Sequence, residues 1–129
     1  MSTKVKIAVD AMGGENSPKK VIEGIKISLK NNKENFFYLY GQRKQLEKEI
    51  SQDSSIKKYC EIIDVKDFIL DNESPLTAAK KGNESSMWEA IESQKINKSD
   101  ISLSAGNTGA LLVISRLILD SIKGISKPA

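Results

Sequence analysis

The residues of this chain best suited to chemistry are Ser104-Ala105-Gly106-Asn107-Thr108-Gly109-Ala110-Leu111, a run of small and polar side chains between a short apolar segment and a long one. Such a run joins a strand to a helix. A helix start leaves its first N–H groups unpaired and carries the positive end of the helix dipole, so glycines there let an anion approach the bare backbone. Phosphate is the first ligand the pattern suggests. The alternative is a tight strand-to-helix turn that needs glycine for its shape alone. A second glycine loop, Asp10-Ala11-Met12-Gly13-Gly14, ends the first apolar segment. Neither loop has the spacing of the P-loop or of the dinucleotide fingerprint, so neither ATP nor NAD is indicated. Asp10 could orient a substrate, hold a cation or accept a proton. Equally, it could cap its own loop by accepting from the N–H groups of Met12 or Gly13. Lys80 and Lys81 could add positive charge near an anion, or belong to a solvated loop closed by a capping serine.

Other chemistries are narrowed by what the chain lacks. It has no histidine, which removes the commonest general base and metal ligand, and with them Ser-His-Asp catalysis and zinc sites within this chain. Cys60 is the single cysteine, so no intrachain disulfide can form, and its place in an apolar segment reads as a small buried residue. A cytoplasmic protein is the expectation. The formal charge of +3 comes from 18 Lys, two Arg and 17 acids that look evenly spread along the chain. Nucleic-acid binding, which calls for a basic face with stacking aromatics, is not expected. The first ten residues alternate like a strand and do not read as a signal peptide. The most apolar segment, 110–122, is broken by Ser115, Arg116 and Asp120 and is too short to span a bilayer, so any membrane contact would be peripheral.

These groups need a scaffold, and the pattern of apolar residues supplies one. Lys4 to Ala11 reads as a strand, and Ser17 followed by Pro18 reads as the cap and first position of a helix with Val21, Ile22, Ile25 and Leu29 inward, up to Asn31-Asn32. Phe36 to Tyr40 is a strand closed by Gly41, and Gln42 to Ser51 a short helix with Leu46 and Ile50 inward. Tyr59 to Val65 is a third strand. Asp71 to Pro75 signals a turn before an irregular stretch through Lys80-Lys81-Gly82. Ser86 to Lys95 is a helix with Met87, Ala90 and Ile91 on one face and Trp88 beside them, and Ile101 to Ser104 is a fourth strand. From Asn107 a last helix carries apolar residues nearly all round as far as Ile122, which suits a helix sandwiched in the fold or buried between subunits. Alternating strands and helices predict a parallel sheet with helices on both faces and a ligand at the carboxyl ends of the strands. Both glycine loops fall at such ends. No repeat or linker divides the chain, and it reads as one continuous domain that is a fragment of something longer.

Taken together, VDAMGG at 9–14 with Pro18, SSM at 85–87, SAGNTGAL at 104–111 and KGISKPA at 123–129 resemble the bacterial phosphate acyltransferases, in order and spacing, over essentially the whole chain. One departure is Glu15, where the family shows Asp after the paired glycines. The family's members are also considerably longer, so the chain resembles the amino-terminal portion, residues 1–129, of one such domain. The resemblance implies a three-layer Rossmann-like α/β fold with a mainly parallel sheet, related to phosphotransacetylases and isopropylmalate dehydrogenases. It implies a homodimer without metal or cofactor that makes acyl-phosphate from acyl-acyl-carrier-protein and inorganic phosphate for phospholipid synthesis. The product would pass to a glycerol-3-phosphate acyltransferase at the membrane. On this reading Gly106, Asn107, Thr108 and Gly109 bind phosphate or the developing oxyanion, Asn107 through its side-chain amide. Asp10 joins Asn107 and Thr108 in catalysis, and Gly13, Gly14, Lys81 and Ser86 form a substrate loop. Two rivals remain: an enzyme of the phosphotransacetylase kind acting on acyl-CoA, and a noncatalytic module that binds a carrier protein or a partner enzyme.

Overall fold

A computed structural model describes residues 4–127, so Pro128 and Ala129 of the KGISKPA stretch lie outside the described residues. Four strands, β1 (Val5–Asp10), β2 (Asn35–Gly41), β3 (Cys60–Asp64) and β4 (Ile101–Ser104), alternate with five helices: α1 (Lys19–Asn31), α2 (Arg43–Ser51), α3 (Pro75–Lys80), α4 (Ser86–Lys95) and α5 (Thr108–Ile118). Every strand pair is parallel, in the order β3-β2-β1-β4. This is the expected α/β architecture.

Side-chain alternation assigns the two faces. Val9, Phe37 and Leu39 point one way and pack against Ile22, Ile25 and Leu29 of α1 and Leu46 and Ile50 of α2. Ala8 and Tyr40 point the other way, toward Ala90 of α4. Beyond that face, Met87 and Ile91 of α4 meet Ala78 of α3 and Ala110 and Ile114 of α5 in a further apolar cluster, with Trp88 partly buried at its side. Helix, sheet and helix thus form three layers.

The chain order matters for function. From β1 the chain leaves through α1 on one face, whereas from β4 it leaves through α5, which packs on α3 and α4 on the other face. Neighbouring strands whose connections diverge in this way open a crevice at their carboxyl ends, where ligands of such sheets bind. That crevice lies between β1 and β4, and both glycine loops are at its mouth.

Several boundaries differ from the sequence expectations. Ser17 does not cap α1; Pro18 holds the cap position, and the Ser17 hydroxyl donates instead to the Gly13 carbonyl at 2.7 Å. Tyr59 ends a 3-10 turn (Ser54–Tyr59), not a strand, because its ring packs at the sheet margin with Lys4 and Lys58 over it. The stretch read as irregular contains α3, whose start is set by Ser74 accepting from the Thr77 N–H and by Pro75 in the first turn. Its six residues are too few to display a helical period. Ser85 supplies the capping serine, accepting from the Trp88 N–H. The last helix ends at Ile118, and it is not covered all round: Ala110 and Ile114 are buried, while Leu112 and Leu117 are exposed on the side away from α3 and α4.

Leu39 is fully buried at the centre of the sheet. Leu39→Ala should lower the unfolding free energy by about 2–5 kcal/mol, measured by urea denaturation, since the cavity is enclosed by strands on both sides and by α1.

Candidate active site

The site begins with strand register. Parallel pairing sets Asp10, the last residue of β1, beside Ser104, the last residue of β4. Asp10 is 2% exposed. A carboxylate so placed must be satisfied internally. Its Oδ1 accepts from the Ser86 hydroxyl at 2.6 Å and the Met12 N–H at 3.3 Å, and its Oδ2 accepts from the Ser104 hydroxyl at 2.9 Å. The bond from Met12 is the loop-capping role foreseen for Asp10; the bonds from the two serines tie β1 to β4 and to the start of α4. Burial pushes the Asp10 carboxyl above its ordinary value, and the hydrogen bonds from Ser86, Ser104 and the loop N–H groups only partly offset this.

Ser104 carries the link onward. Its oxygen also accepts from the Gly106 N–H at 3.1 Å, so Asp10, Ser104 and Gly106 form one hydrogen-bonded chain into the second glycine loop. The loops touch directly. A Cβ at Gly106 would lie 3.1 Å from the Gly13 Cα, and one at Gly13 would lie 2.5 Å from the Asp10 Oδ2. Gly14 has φ +94° and faces the Ala105 carbonyl. The glycines are therefore needed for close approach between the two loops, and at Gly14 for a left-handed backbone as well.

Beyond Gly106 the chain turns into α5. Asn107 caps that helix by accepting from the Ala110 N–H at 3.0 Å. Its amide, expected to donate to phosphate, donates instead to the carbonyls of Leu70, Asp71 and Glu73, the last at 2.7 Å. Asn107 thus fastens the glycine loop to the 70–73 segment. Lys81 braces the same segment through Glu73 Oε1 at 2.6 Å and the Phe68 carbonyl at 3.0 Å, so its charge is already partnered. Burial works to raise the Glu73 carboxyl, but the Lys81 ammonium and the Leu70 N–H outweigh it and hold the group below its ordinary value. Pro75 closes over Gly109, where a Cβ would meet its ring at 2.8 Å. Thr108 is exposed at the helix start, and the N–H groups of Thr108 and Gly109 find no acceptor among the described residues.

The structure therefore brings Asp10, Gly13, Gly14, Ser86, Gly106, Asn107, Thr108 and Gly109 into one continuous assembly. Asp10, Ser86 and Asn107 are on its inside, holding it together, and Thr108 with the first amides of α5 is on its open side. Lys81 supports the assembly from behind the 70–73 segment. The sequence places Ser104 in the glycine loop and Glu73 in a turn, and assigns neither side chain a role of its own. The polar alternation of Ser102 and Ser104 in β4 was a usable signal for Ser104, whereas nothing in the spacing links Glu73 to Asn107. Cys60 lies away from the crevice on β3, with burial pushing its thiol up to about 12, which leaves it protonated and unreactive. No cluster of three or more potential metal ligands occurs among the described residues.

The family model described as "Fatty acid synthesis protein" matches residues 5–129. A phosphate acyltransferase of Pelagibacter ubique is 52% identical over the whole of this chain, which covers 38% of that protein. A phosphate acyltransferase of Ehrlichia canis is 41% identical over 97% of the chain and 38% of its own length. One from Rhodopseudomonas palustris is 39% identical over the whole chain and 37% of its length. The chain thus spans less than two fifths of these curated relatives.

Two outcomes test the assembly. Because the folded Asp10 carboxyl titrates above its ordinary 3.8, the native state binds more protons than the unfolded chain between those two values. Its contribution to stability therefore falls as pH rises through that window. Asp10→Asn, which can keep the contacts by reversing one serine hydroxyl, should remove this slope. Paired urea denaturation from acid to neutral pH should show wild type losing ground to the variant as pH rises from about 4. Gly13→Ala, by contrast, forces the loop off the Asp10 carboxylate and should cost about 1–3 kcal/mol, read as a shift in the urea midpoint.

Proposed function

This chain belongs to the fatty acid synthesis protein family, and we propose that it supplies the phosphate-binding wall of a phosphate acyltransferase. In the proposed reaction an oxygen of inorganic phosphate attacks the thioester carbonyl of an acyl-acyl-carrier-protein. The tetrahedral oxyanion collapses, the C–S bond breaks, and acyl-phosphate and the carrier thiol are released. The observation that carries this reading is the start of α5. Thr108 is exposed there, its N–H and that of Gly109 have no acceptor among the described residues, and the loop before them is tied back by Asn107, Ser104 and Asp10.

The chemistry asks little more of this wall. Phosphate is nucleophilic at neutral pH, and a thiol with pKa near 8.5 leaves as thiolate without a strong acid. What the protein must contribute is fixed geometry and donors aimed at negative charge. Oriented backbone amides held by an already satisfied network provide both, because they need not reorganise when charge appears. In this proposal Asp10 and Asn107 are positioning residues, since their oxygens and amide are engaged within the protein. Thr108 and the amides of Thr108 and Gly109 are the groups that contact phosphate. The acyl-phosphate formed would be handed to an acyltransferase acting on glycerol 3-phosphate at a membrane. Among the described residues, no helix is long and apolar enough to cross one.

The test is Thr108→Val in a polypeptide of the relatives' full length, with phosphorolysis followed by thiol release from acyl-carrier-protein and from acyl-CoA. Losing one hydrogen bond to a charged ligand is worth about 1.5–3 kcal/mol, or roughly tenfold to a hundredfold in kcat/KM for phosphate. The melting temperature should hardly move, because Thr108 is exposed. Unchanged phosphate kinetics would remove Thr108 from the site. Faster turnover of acyl-CoA than of the carrier-protein thioester would reassign the donor.

A further inference from the structure

The chain's positive charge is segregated in space, although it looks evenly spread in sequence. Lys26, Lys30 and Lys33 fall at intervals of four and three along α1 and just beyond its end, and so share one helix face. Opposite them stand Lys57 and Lys58 on the Ser54–Tyr59 turn. Between the two lies a cleft of about 890 Å³ floored by Leu29 and Ile56. Lys4 and Lys58 both stand over the Tyr59 ring, with their ammonium groups 5.9 and 5.3 Å from its centre. Within the cleft only Asp53 is acidic, and it pairs with Lys26 at 3.6 Å; Glu34 lies at the neighbouring end of α1. If these six lysines, Asp53 and Glu34 are set apart from the chain's 20 basic and 17 acidic residues, 14 basic and 15 acidic residues remain. The cleft and its margin therefore hold an excess of positive charge that the rest of the chain does not share.

We propose that the lysine-lined cleft between the end of α1 and the Ser54–Tyr59 turn is a docking site for a carboxylate-bearing helix of an acidic partner protein. Shape and the state of the one aromatic ring select that partner over other polyanions. The surface is a trough with charge on two opposing walls, which complements a helix carrying acids along both flanks, whereas a lipid surface is flat. The donors are all lysine, point charges that supply attraction to a row of carboxylates without imposing a bidentate geometry. Tyr59, the one aromatic ring in the cleft, is already covered by two lysines and is not free to stack on a base. The apolar floor matches a helix that places a few apolar side chains between its acids. The cleft is at the amino-terminal end of the sheet, where β2 and β3 begin, while the glycine loops lie at the carboxyl ends. An occupant would thus steer and hold the protein without blocking the crevice.

The experiment uses a fluorescent 18-residue helical peptide with glutamates along both flanks of a leucine stripe, its glutamine counterpart, and phosphatidylserine vesicles as separate probes. The glutamate peptide should bind, should weaken at least tenfold between 20 and 200 mM salt, and should bind at least tenfold more weakly to the Lys30→Glu/Lys33→Glu/Lys57→Glu variant. A control with Lys95→Glu and Lys123→Glu, away from the cleft, should stay within twofold of wild type. These side chains are exposed, and melting curves check folding. If the charge reversals unfold the chain, the Lys→Gln versions serve in their place. The proposal is overturned if the glutamate peptide fails to bind at low salt, if the glutamine peptide binds as well, or if the cleft and control variants weaken equally. Capture by vesicles without capture of the peptide overturns it in favour of a membrane surface.

Discussion

The fold around the crevice depends on one carboxylate that is almost wholly buried. Asp10 has little surface left for water, so its oxygens are answered by protein donors, and the donors come from places far apart in the chain: Met12 in its own loop, Ser86 at the start of α4, and Ser104 at the end of β4. Each of these bonds fixes an element that local propensity alone would leave free. The start of α4 is held against β1 by Ser86, and the end of β4 is held in register by Ser104. Because the Ser104 oxygen also accepts from Gly106, the same carboxylate sets the backbone of the second glycine loop. An unmet partner here would cost more than an ordinary surface hydrogen bond, since the low-dielectric interior magnifies the loss. The bonds that make a buried carboxylate tolerable thus also fix the glycine loop from which α5 starts.

The division of labour around the crevice follows from which groups are already occupied. Asn107 has the chemistry of an anion donor, yet its amide is engaged by the 70–73 carbonyls and its oxygen by the helix it caps. Lys81, the nearest charge that sequence reading could offer an anion, is neutralised by Glu73. What is left for a ligand is the backbone and one hydroxyl. A site of this kind gains from rigidity, because amides already held in place need not be reoriented when negative charge arrives.

Much of the fold was legible from local pattern. The period-two runs of β1 and β2 and the inward residues of α1, α2 and α4 identify their elements and their buried faces, because burial on one side leaves a period in the sequence. Expectations failed where tertiary contacts decide. Ser17 has a good capping side chain, but the Gly13 carbonyl claims it. Helix α3 has too few turns to show a period. In the crevice, the glycines and Asp10 were recognisable as types that suit a loop at a strand end. The roles of Ser86, Ser104 and Glu73 were not, since each is defined by a partner on another element: 76 residues away for Ser86 and 94 for Ser104. The even spread of lysines in sequence likewise concealed their gathering at one end of the sheet, which arises only when α1 and the Ser54–Tyr59 turn come together.

The strand order has a consequence for how the crevice responds to its surroundings. Among the described residues β4 is an outer strand, paired with β1 on one side only, and its Ile101 and Leu103 side chains are largely exposed on the α1 side of the sheet. An outer strand offers a row of peptide groups to anything able to pair with it. Ser104, which links Asp10 to the second glycine loop, is the last residue of that strand. Pairing along the free edge would damp the strand's fluctuations and, through Ser104, stiffen the loop. The edge of the sheet and the backbone of the second glycine loop thus share one residue, and a strand laid beside β4 would bear on that loop without touching it.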